Sequence, residues 1–165
     1  MTLQFQQQIK NKPTHFVEQI INSLDHHPIA NEYYYDHLET IKPLCDWTVA
    51  SGDKLHTIRA DKKDRWHKGN DIHFKAWSGR PYHSTNINFL PITTVTSTQK
   101  IEIIYKDIDG LKLEVATVYI DGVWIPGKEV EKLAVNDGFE TIEEFFSYFN
   151  TTFTGKIIHW TTLKY

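Results

Sequence analysis

The stretch ITTVTSTQKIEIIYKDIDGLKLEVATVYIDGVWI, residues 92–125, decides the fold class. Its runs of β-branched and aromatic residues are separated by the dipeptides Asp109-Gly110 and Asp121-Gly122. Asp-Gly between such runs is typical of a two-residue hairpin turn, because both residues tolerate a positive φ. The stretch therefore predicts three consecutive antiparallel strands.

Shorter patterns on both sides of this stretch predict the other elements. Alternating or β-rich runs predict strands over residues 3–9, 56–60, 71–77 and 155–163. Apolar stripes predict helices over residues 14–24, 128–135 and 141–149, while residues 78–91 are expected to form an irregular loop. Thr14 is the expected N-cap of the first helix, and Thr141 and Glu144 have the spacing of a capping box. The whole pattern indicates an α+β protein, with a small, mostly antiparallel barrel and helices at its edges.

Residues 25–53 carry weaker signals. Asn31 is the candidate N-cap of a further helix, which places Tyr34, Leu38 and Ile41 on one face and ends at Pro43. The residues around this segment resemble loops.

Composition limits the class of protein. A chain of 165 residues with 40% hydrophobic and 24% charged residues is expected to form one domain, residues 1–165. A formal net charge of −3 argues against duplex binding by bulk charge, although a local basic patch remains compatible with it. The single Cys45 excludes an intrachain disulfide and suits a reducing compartment. Without an apolar leader or a long apolar run, the expectation is a cytoplasmic protein with no membrane partner.

No cofactor or metal site is predicted. The nine histidines show none of the spacings typical of metal ligands, so surface or hydrogen-bonding histidines are expected. Cys45 is interpreted as a structural thiol, and no oligomeric state is predicted.

The segment KLHTIRADKKDRW, residues 54–66, is the candidate functional stretch. Lys54 and Thr57 are three residues apart, and such positions on a regular strand point to opposite faces. Gly52 and Asp53 indicate that Lys54 precedes the strand, where its side chain can fold back toward the Thr57 hydroxyl. A lysine whose pKa is depressed toward about 7 can act as a general base and activate a threonine nucleophile. A solvated strand end is the alternative interpretation.

A basic run follows directly. Six cations and two carboxylates between residues 54 and 68 give a local formal charge of +4, which would attract phosphate. Trp66 and Trp77 are candidates for base stacking, with burial in the core as the alternative.

The sequence also resembles the ASCH family of the PUA-like superfamily. The resemblance rests on Lys-x-x-Thr-Ile-Arg (54–59), a basic stretch and a glycine before the next strand, and on Asn-Asp-Gly-Phe (136–139) followed by Thr-Ile-Glu-Glu-Phe-Phe. It implies a β-barrel with a cleft that takes RNA, a nucleotide or a modified nucleoside. One enzyme branch of that family hydrolyses acetylated cytidine with a Lys, Thr and Glu triad, and the matching positions here are Lys54, Thr57 and Glu144, with Glu143 adjacent. An inserted segment at about residues 25–53 and the long loop 78–91 depart from the compact enzyme pattern.

Three functional hypotheses follow. The first is a binding module that holds RNA, a nucleotide or a modified nucleoside against Arg59, Lys62, Arg65, Trp66 and Trp77. The second is an amidohydrolase that deacylates an acylated nucleoside such as acetylcytidine. The third is a non-catalytic accessory protein that docks on a partner through the aromatic residues of the inserted segment, residues 33–35 and Trp47.

Overall fold

The structure, a computed structural model, describes residues 1–24, 28–48, 52–107 and 114–165. These residues form two compact units that alternate along the chain. The first unit comprises residues 1–55 and 70–94, and the second comprises residues 56–69 and 95–165. Helices and sheets are both present and most strand pairs are antiparallel, which confirms the predicted α+β class.

The elements are numbered in chain order. The strands are β1 (Thr2–Phe5), β2 (Gln8–Ile9), β3 (Lys12–Pro13), β4 (His56–Arg59), β5 (Asp71–Trp77), β6 (Asn86–Asn88), β7 (Thr93–Thr94), β8 (Ser97–Asp107), β9 (Glu114–Ile120), β10 (Val123–Ile125) and β11 (Phe153–His159). The helices are α1 (Phe16–Ser23), α2 (Pro28–Asp36), α3 (Leu38–Ile41), α4 (Gly127–Asn136) and α5 (Ile142–Tyr148), with a 3₁₀ turn at Lys42–Leu44.

Strand β5 organises the sheet of the first unit. It pairs in parallel with β1 and antiparallel with β6 and β7. Its side chains alternate between faces, and Ile72, Phe74 and Ala76 are all buried. Phe74 stacks on Phe5 of β1, with ring centroids 5.9 Å apart. The strand predicted over residues 71–77 is therefore confirmed.

The N-terminal strand differs from its prediction. The expected strand over residues 3–9 is two strands, because β1 ends at Phe5 and Gln8–Ile9 pairs instead with Lys12–Pro13. Lys10 and Asn11 connect β2 to β3 with φ values of 50° and 66°. Positive φ at both central residues is typical of the type I′ turn. The backbone twist of this turn matches the right-handed twist of the two flanking strands.

The cap predicted for α1 is wrong by one residue. His15, not Thr14, is the N-cap, with φ 52° and no side-chain cap hydrogen bond. The Thr14 hydroxyl donates to the Gln6 carbonyl at 2.6 Å, and its backbone N–H donates to Gln7 at 3.0 Å. Because Thr14 is engaged by the β2–β3 hairpin, only a long contact of 3.5 Å remains from Phe16 N–H to its hydroxyl.

The cap predicted at Asn31 is also wrong. Helix α2 begins at Pro28, so Asn31 lies inside the helix. Proline suits the first turn of a helix, where its missing N–H is not needed. The helical path continues through α3 and ends with the 3₁₀ turn at Leu44, one residue after Pro43.

One further strand lies in the segment that was expected to be an irregular loop. Asn86–Asn88 forms β6, because it pairs with Lys75, Ala76 and Trp77 of β5. Asparagine is depleted in strands, so the local sequence hides this strand. Its central residue, Ile87, is buried.

The second unit contains a five-stranded antiparallel sheet in the order β10-β9-β8-β11-β4. Asp121 and Gly122, with φ values of 50° and 82°, form the predicted turn between β9 and β10. The predicted Asp109-Gly110 turn lies outside the described residues. Strand β11 ends at His159 rather than at residue 163.

The two helices predicted for the second unit are confirmed. Helix α4 buries Val130, Leu133 and Ala134, which recur at helical spacing. Helix α5 has Thr141 as its N-cap, and the Thr141 hydroxyl accepts a hydrogen bond from Glu144 N–H at 3.2 Å.

Candidate functional site

Strand β4 carries Thr57 in the second unit. Thr57 lies opposite Ile158 of β11 and is 3% exposed. Arg59 shares the Thr57 face by strand alternation and is half-buried. His56 and Ile58 on the other face are also buried, so both faces of β4 are covered.

Lys54 lies before the strand, as its spacing predicts. Its backbone N–H donates to the Gln19 carbonyl of α1 at 3.1 Å. Its Nζ lies 4.4 Å from the centre of the Phe16 ring, and the residue is 1% exposed. The face of an aromatic ring attracts a cation through the ring quadrupole, so the Phe16 ring is a favourable neighbour for a lysine side chain. Lys54 belongs to the first unit, whereas Thr57 belongs to the second.

Glu144, the third residue of the predicted triad, lies in the first turn of α5. It is half-buried, while the adjacent Glu143 is exposed. Its backbone N–H is the group that Thr141 caps. Thr57 and Glu144 thus belong to the same unit, on β4 and α5, and their joint catalytic role stays a prediction.

Residues 61–68 form a loop, here called the basic loop, after β4. Lys62, Lys63, Arg65 and Lys68 are all exposed in it. Asp61 organises the loop, because its two carboxylate oxygens accept the backbone N–H groups of Arg65 and Trp66, both at 2.9 Å.

Lys156 of β11 holds the basic loop from the sheet side. Its Nζ donates to the Trp66 carbonyl at 2.6 Å, lies 3.5 Å from Asp61 Oδ2 and forms an ion pair with Asp64. We call Lys156, Asp61 and Asp64 the brace. Asp61 and Lys156 have side chains only 2% and 18% exposed, whereas Asp64 is 73% exposed.

The brace keeps both aspartates ionised. Burial raises the pKa of Asp61, but the N–H groups of Arg65 and Trp66 together with Lys156 outweigh it and hold that pKa below its usual range. A hydrogen bond from Lys156 likewise lowers the pKa of Asp64.

The two tryptophans predicted to stack on bases have different surroundings. Trp66 is 5% exposed and is packed among the core residues of the second unit. Trp77, at the end of β5, is half-buried, and its ring centroid lies 5.3 Å from that of Tyr82, a residue 86% exposed. Of the two, Trp77 presents more ring surface to solvent.

A row of polar residues crosses the second sheet and was not singled out in the sequence. Ser97 of β8, His159 of β11 and His56 of β4 lie directly opposite one another. Both histidines are fully buried. The expectation is surface or hydrogen-bonding histidines, which His56 meets through its contact with Tyr165 and which His159, among the described residues, does not. The row becomes visible only once the register of three strands distant in sequence is known.

His56 belongs to a hydrogen-bond network with the last residues of the chain. The Tyr165 hydroxyl accepts from Asn136 Nδ2 at 2.9 Å and lies 2.7 Å from His56 Nε2. The Tyr165 hydroxyl thus joins Asn136 to His56. His56 Nδ1 lies 3.7 Å from Asp137 Oδ1.

His159 differs from His56. Neither of its ring nitrogens has a hydrogen-bond partner among the described residues. Burial, followed by the nearby Lys164 charge, lowers the pKa of His159 to about 4, against a smaller opposing effect of Asp121. The ring is therefore neutral at pH 7.

The aromatic residues between Tyr33 and Trp47 divide into two groups. Tyr33 stacks on His37 at a centroid distance of 4.0 Å and donates its hydroxyl to the Asn88 carbonyl at 3.2 Å. Tyr34 contacts both Tyr35 and Trp47 edge to face, and these two residues are 73% and 46% exposed. Docking of a partner on Tyr35 and Trp47 stays a prediction.

Within the ranges that the structure describes, no three His, Cys, Asp or Glu side chains are grouped closely enough to hold a metal ion. None of the helices found there has the length and apolar character needed to cross a membrane. No protein-family model, no curated protein and no solved structure matches this chain.

Proposed function

We propose that the protein binds RNA or a phosphorylated nucleoside through the basic loop, on a PUA-like barrel of the ASCH type. The observation that carries the proposal is the brace. It pairs both acidic residues of the loop with Lys156, so that the four exposed cations stand against a brace of formal charge −1, and the net formal charge of loop and brace together is +3.

Phosphate is the ligand group that suits such a loop. Lysine and arginine that neutralise phosphates release condensed counterions, and this release supplies most of the sequence-independent affinity for nucleic acids. Arg65 can also contact a phosphate with two parallel N–H groups, which lysine cannot do. Because Asp61 fixes the backbone of Arg65 and Trp66, less conformational entropy is lost when the loop binds.

In the first unit, Trp77 and Tyr82 offer an exposed aromatic surface. A base stacked on such a ring contributes on the order of 1–3 kcal/mol. We expect Trp77→Ala to weaken RNA binding with little change in its salt dependence, because stacking is not an ionic contact.

The test compares variants in a fluorescence-anisotropy titration with a single-stranded RNA. We expect Lys62→Gln combined with Arg65→Gln to weaken binding at least tenfold at low salt, which is about 1.4 kcal/mol. Lys128→Gln removes an exposed lysine of α4 in the same unit and is the matched control. Equal weakening by the control, or wild-type affinity in the double variant, would remove the proposal.

A second candidate function is hydrolysis of an acylated nucleoside, with the roles that the resemblance implies for Lys54, Thr57 and Glu144. Thr57 and Glu144 both lie in the second unit. In this reaction the Thr57 hydroxyl attacks the amide carbonyl while Lys54 takes its proton. The acyl group passes to threonine, the amine leaves with a proton, and water then releases the acid. Glu144 would orient Lys54 or the substrate amide.

Release of acetate from acetylcytidine tests this second candidate. We expect Thr57→Val, which replaces the hydroxyl by a methyl group, and Lys54→Ala each to abolish release. Thr151→Val removes an exposed hydroxyl and should leave the rate unchanged. Full activity of Lys54→Ala would show that the mechanism is wrong even if hydrolysis occurs.

A further inference from the structure

A cavity of about 240 Å³ lies within the first unit, at the start of α1. Three segments line it: residues 7–8 and 13–14 of the β2–β3 hairpin, residues 15–18, and residues 43–46. Gln7 Nε2 donates to the Leu44 carbonyl at 3.1 Å and so joins the first segment to the third. None of the lining residues belongs to the basic loop.

A buried carboxylate lines the cavity. Glu18 is 3% exposed, and its Oε1 accepts the Asp46 backbone N–H at 2.6 Å and lies 3.4 Å from His15 Nδ1. Both side-chain hydrogen bonds that Glu18 makes within the described ranges involve Oε1. An ionised carboxylate has about four acceptor positions on its two oxygens, so Oε2 retains its capacity to accept.

The charge of the lining selects the ligand. Glu18 and Asp46 contribute two carboxylates, and the lining residues include neither lysine nor arginine. Lys54 contacts the Phe16 ring but does not line the cavity. His15 is the one basic side chain of the lining, and its Nδ1 lies 3.4 Å from Glu18 Oε1. Two carboxylates beside one histidine favour a positively charged ligand.

The walls exclude a bare metal ion and favour an organic cation. Phe16, Pro13, Pro43 and Leu44 present apolar surface, and no cluster of three metal-ligating side chains occurs in the part of the chain that the structure describes. Drug-sized ligands occupy cavities of about 300–1,000 Å³, so this smaller cavity suits a ligand of one ring. Flat apolar walls beside a carboxylate suit a planar group.

Cys45 also lines the cavity, but it is not suited to act as a nucleophile there. Burial, followed by the nearby charge of Glu18, raises the pKa of Cys45 to about 12. The thiol is therefore protonated at pH 7 and acts as a small apolar wall.

We propose that this cavity binds a planar organic cation of the amidinium or guanidinium type, with an N–H group donated to Glu18 Oε2. The ring or alkyl body of the ligand packs against Phe16 and the two prolines. A planar cation of this type can lie flat against these walls while it donates in its own plane to the carboxylate, which a spherical ammonium cannot do.

Benzamidine is the probe, and benzamide is its neutral counterpart of the same shape. In a two-dimensional amide NMR titration of the wild-type protein, we expect benzamidine to shift the resonances of residues 15–18 and 44–46. We expect the affinity of benzamide to be at least tenfold lower than that of benzamidine, because the uncharged amide cannot form an ion pair with Glu18. Absence of shifts at millimolar benzamidine, shifts confined to other segments, or equal binding of benzamide would overturn the proposal.

Two variants locate the contact. Glu18→Gln keeps the shape and an acceptor for Asp46 N–H but removes the charge, and we expect at least tenfold weaker binding of benzamidine. Glu39→Gln removes an exposed carboxylate of α3 in the same unit and should bind as the wild type does. Unchanged affinity in Glu18→Gln would show that Glu18 is not the counter-ion.

The titration of the wild-type protein with benzamidine and benzamide does not depend on the folding of any variant. RNA binding through the basic loop should be unaffected by Glu18→Gln, so failure here and failure of the proposed function are distinguishable.

Discussion

His159 combines complete burial with two ring nitrogens that have no hydrogen-bond partner within the described ranges. A buried imidazole without partners resists protonation, since the cation would lose its hydration. The unfolded chain has no such restriction. Folding is therefore linked to pH at this residue.

We expect acid to weaken the fold through His159. Its pKa is about 4 in the folded protein and 6.5 in the reference state, so below pH 6.5 the unfolded chain binds a proton that the folded chain does not. This contribution to stability falls by up to about 1.4 kcal/mol per pH unit as the pH decreases toward 4. Urea unfolding between pH 7 and 4 measures it.

His159→Phe keeps an aromatic ring and removes the titration. We expect this variant to lose most of the slope while changing the free energy of unfolding at pH 7 by less than about 1.5 kcal/mol, because no described hydrogen bond is lost. His67→Gln, which removes a side chain 57% exposed, should retain the wild-type slope. The same slope in His159→Phe and in the wild type would show that other groups account for it.

The two aspartates of the brace are predicted to differ in importance. Asp61→Asn introduces an NH₂ group where two backbone N–H groups need acceptors, and we expect a loss of about 1–3 kcal/mol in the free energy of unfolding. Asp64→Asn changes an exposed ion pair, which typically contributes under about 1 kcal/mol. Chemical denaturation of both variants at pH 7 decides the order, and a larger loss for Asp64→Asn would contradict this account.

At the scale of elements, Gly155 determines how closely β4 and β11 approach. A Cβ built at this position would lie 2.4 Å from the Arg59 carbonyl oxygen and 2.7 Å from the Phe153 ring. A backbone oxygen cannot move without disturbing the strand pairing. We expect Gly155→Ala to destabilise the protein by about 1–3 kcal/mol, as overpacking usually does.

Gly127→Ala is the matched control for Gly155→Ala. Gly127 begins α4, and an added Cβ there meets no atom within 4 Å. Alanine favours a helix over glycine by roughly 1 kcal/mol, so this variant should be neutral or slightly stabilising in the same thermal melt. If both variants lowered the melting temperature equally, the close contact at Gly155 would not be the cause.

Elements with strong local signals were predictable from the sequence, and those that depend on partners were not. The Asp121-Gly122 turn and the Thr141 cap follow from residues adjacent in the chain. The Thr14 and Asn31 caps were wrong because a hairpin engages Thr14 and because Pro28 starts α2 earlier. Strand β6 exists through its pairing with β5, which no local pattern reveals.

The candidate site also contains some features that neighbouring residues predict and others that depend on residues distant in the sequence. The position of Lys54 before β4 and the exposure of the basic loop follow from short-range sequence. Lys156, which pairs with Asp61 and Asp64, is far away along the chain, and its neighbouring residues give no sign of that role. The row formed by Ser97, His159 and His56 likewise depends on the register of three strands.

For the whole molecule, the net charge of −3 limits RNA binding to the cations that the fold gathers locally. The basic loop offers four. Each phosphate contact with a single strand contributes about −0.7 to the slope of log K against log salt, so we expect a slope no steeper than about −3. Anisotropy titrations over a range of salt concentrations measure it, and a markedly steeper slope would show that a second basic surface takes part.

Replacing all four loop cations by glutamine should reduce that slope nearly to zero. Lys128→Gln should leave it unchanged, because this lysine lies on α4 rather than in the loop. A residual slope in the fourfold variant would place the phosphate contacts elsewhere.

The brace also affects how the salt dependence of RNA binding is interpreted. Asp61 and Lys156 are shielded from solvent, and added salt screens shielded charges much less than exposed ones. The cations that meet the ligand will lose their attraction as ions are added, while the scaffold beneath them keeps its shape. A decrease in RNA affinity at high ionic strength then measures the loss of ionic contacts between the loop and the ligand. It does not include a contribution from unfolding of the loop.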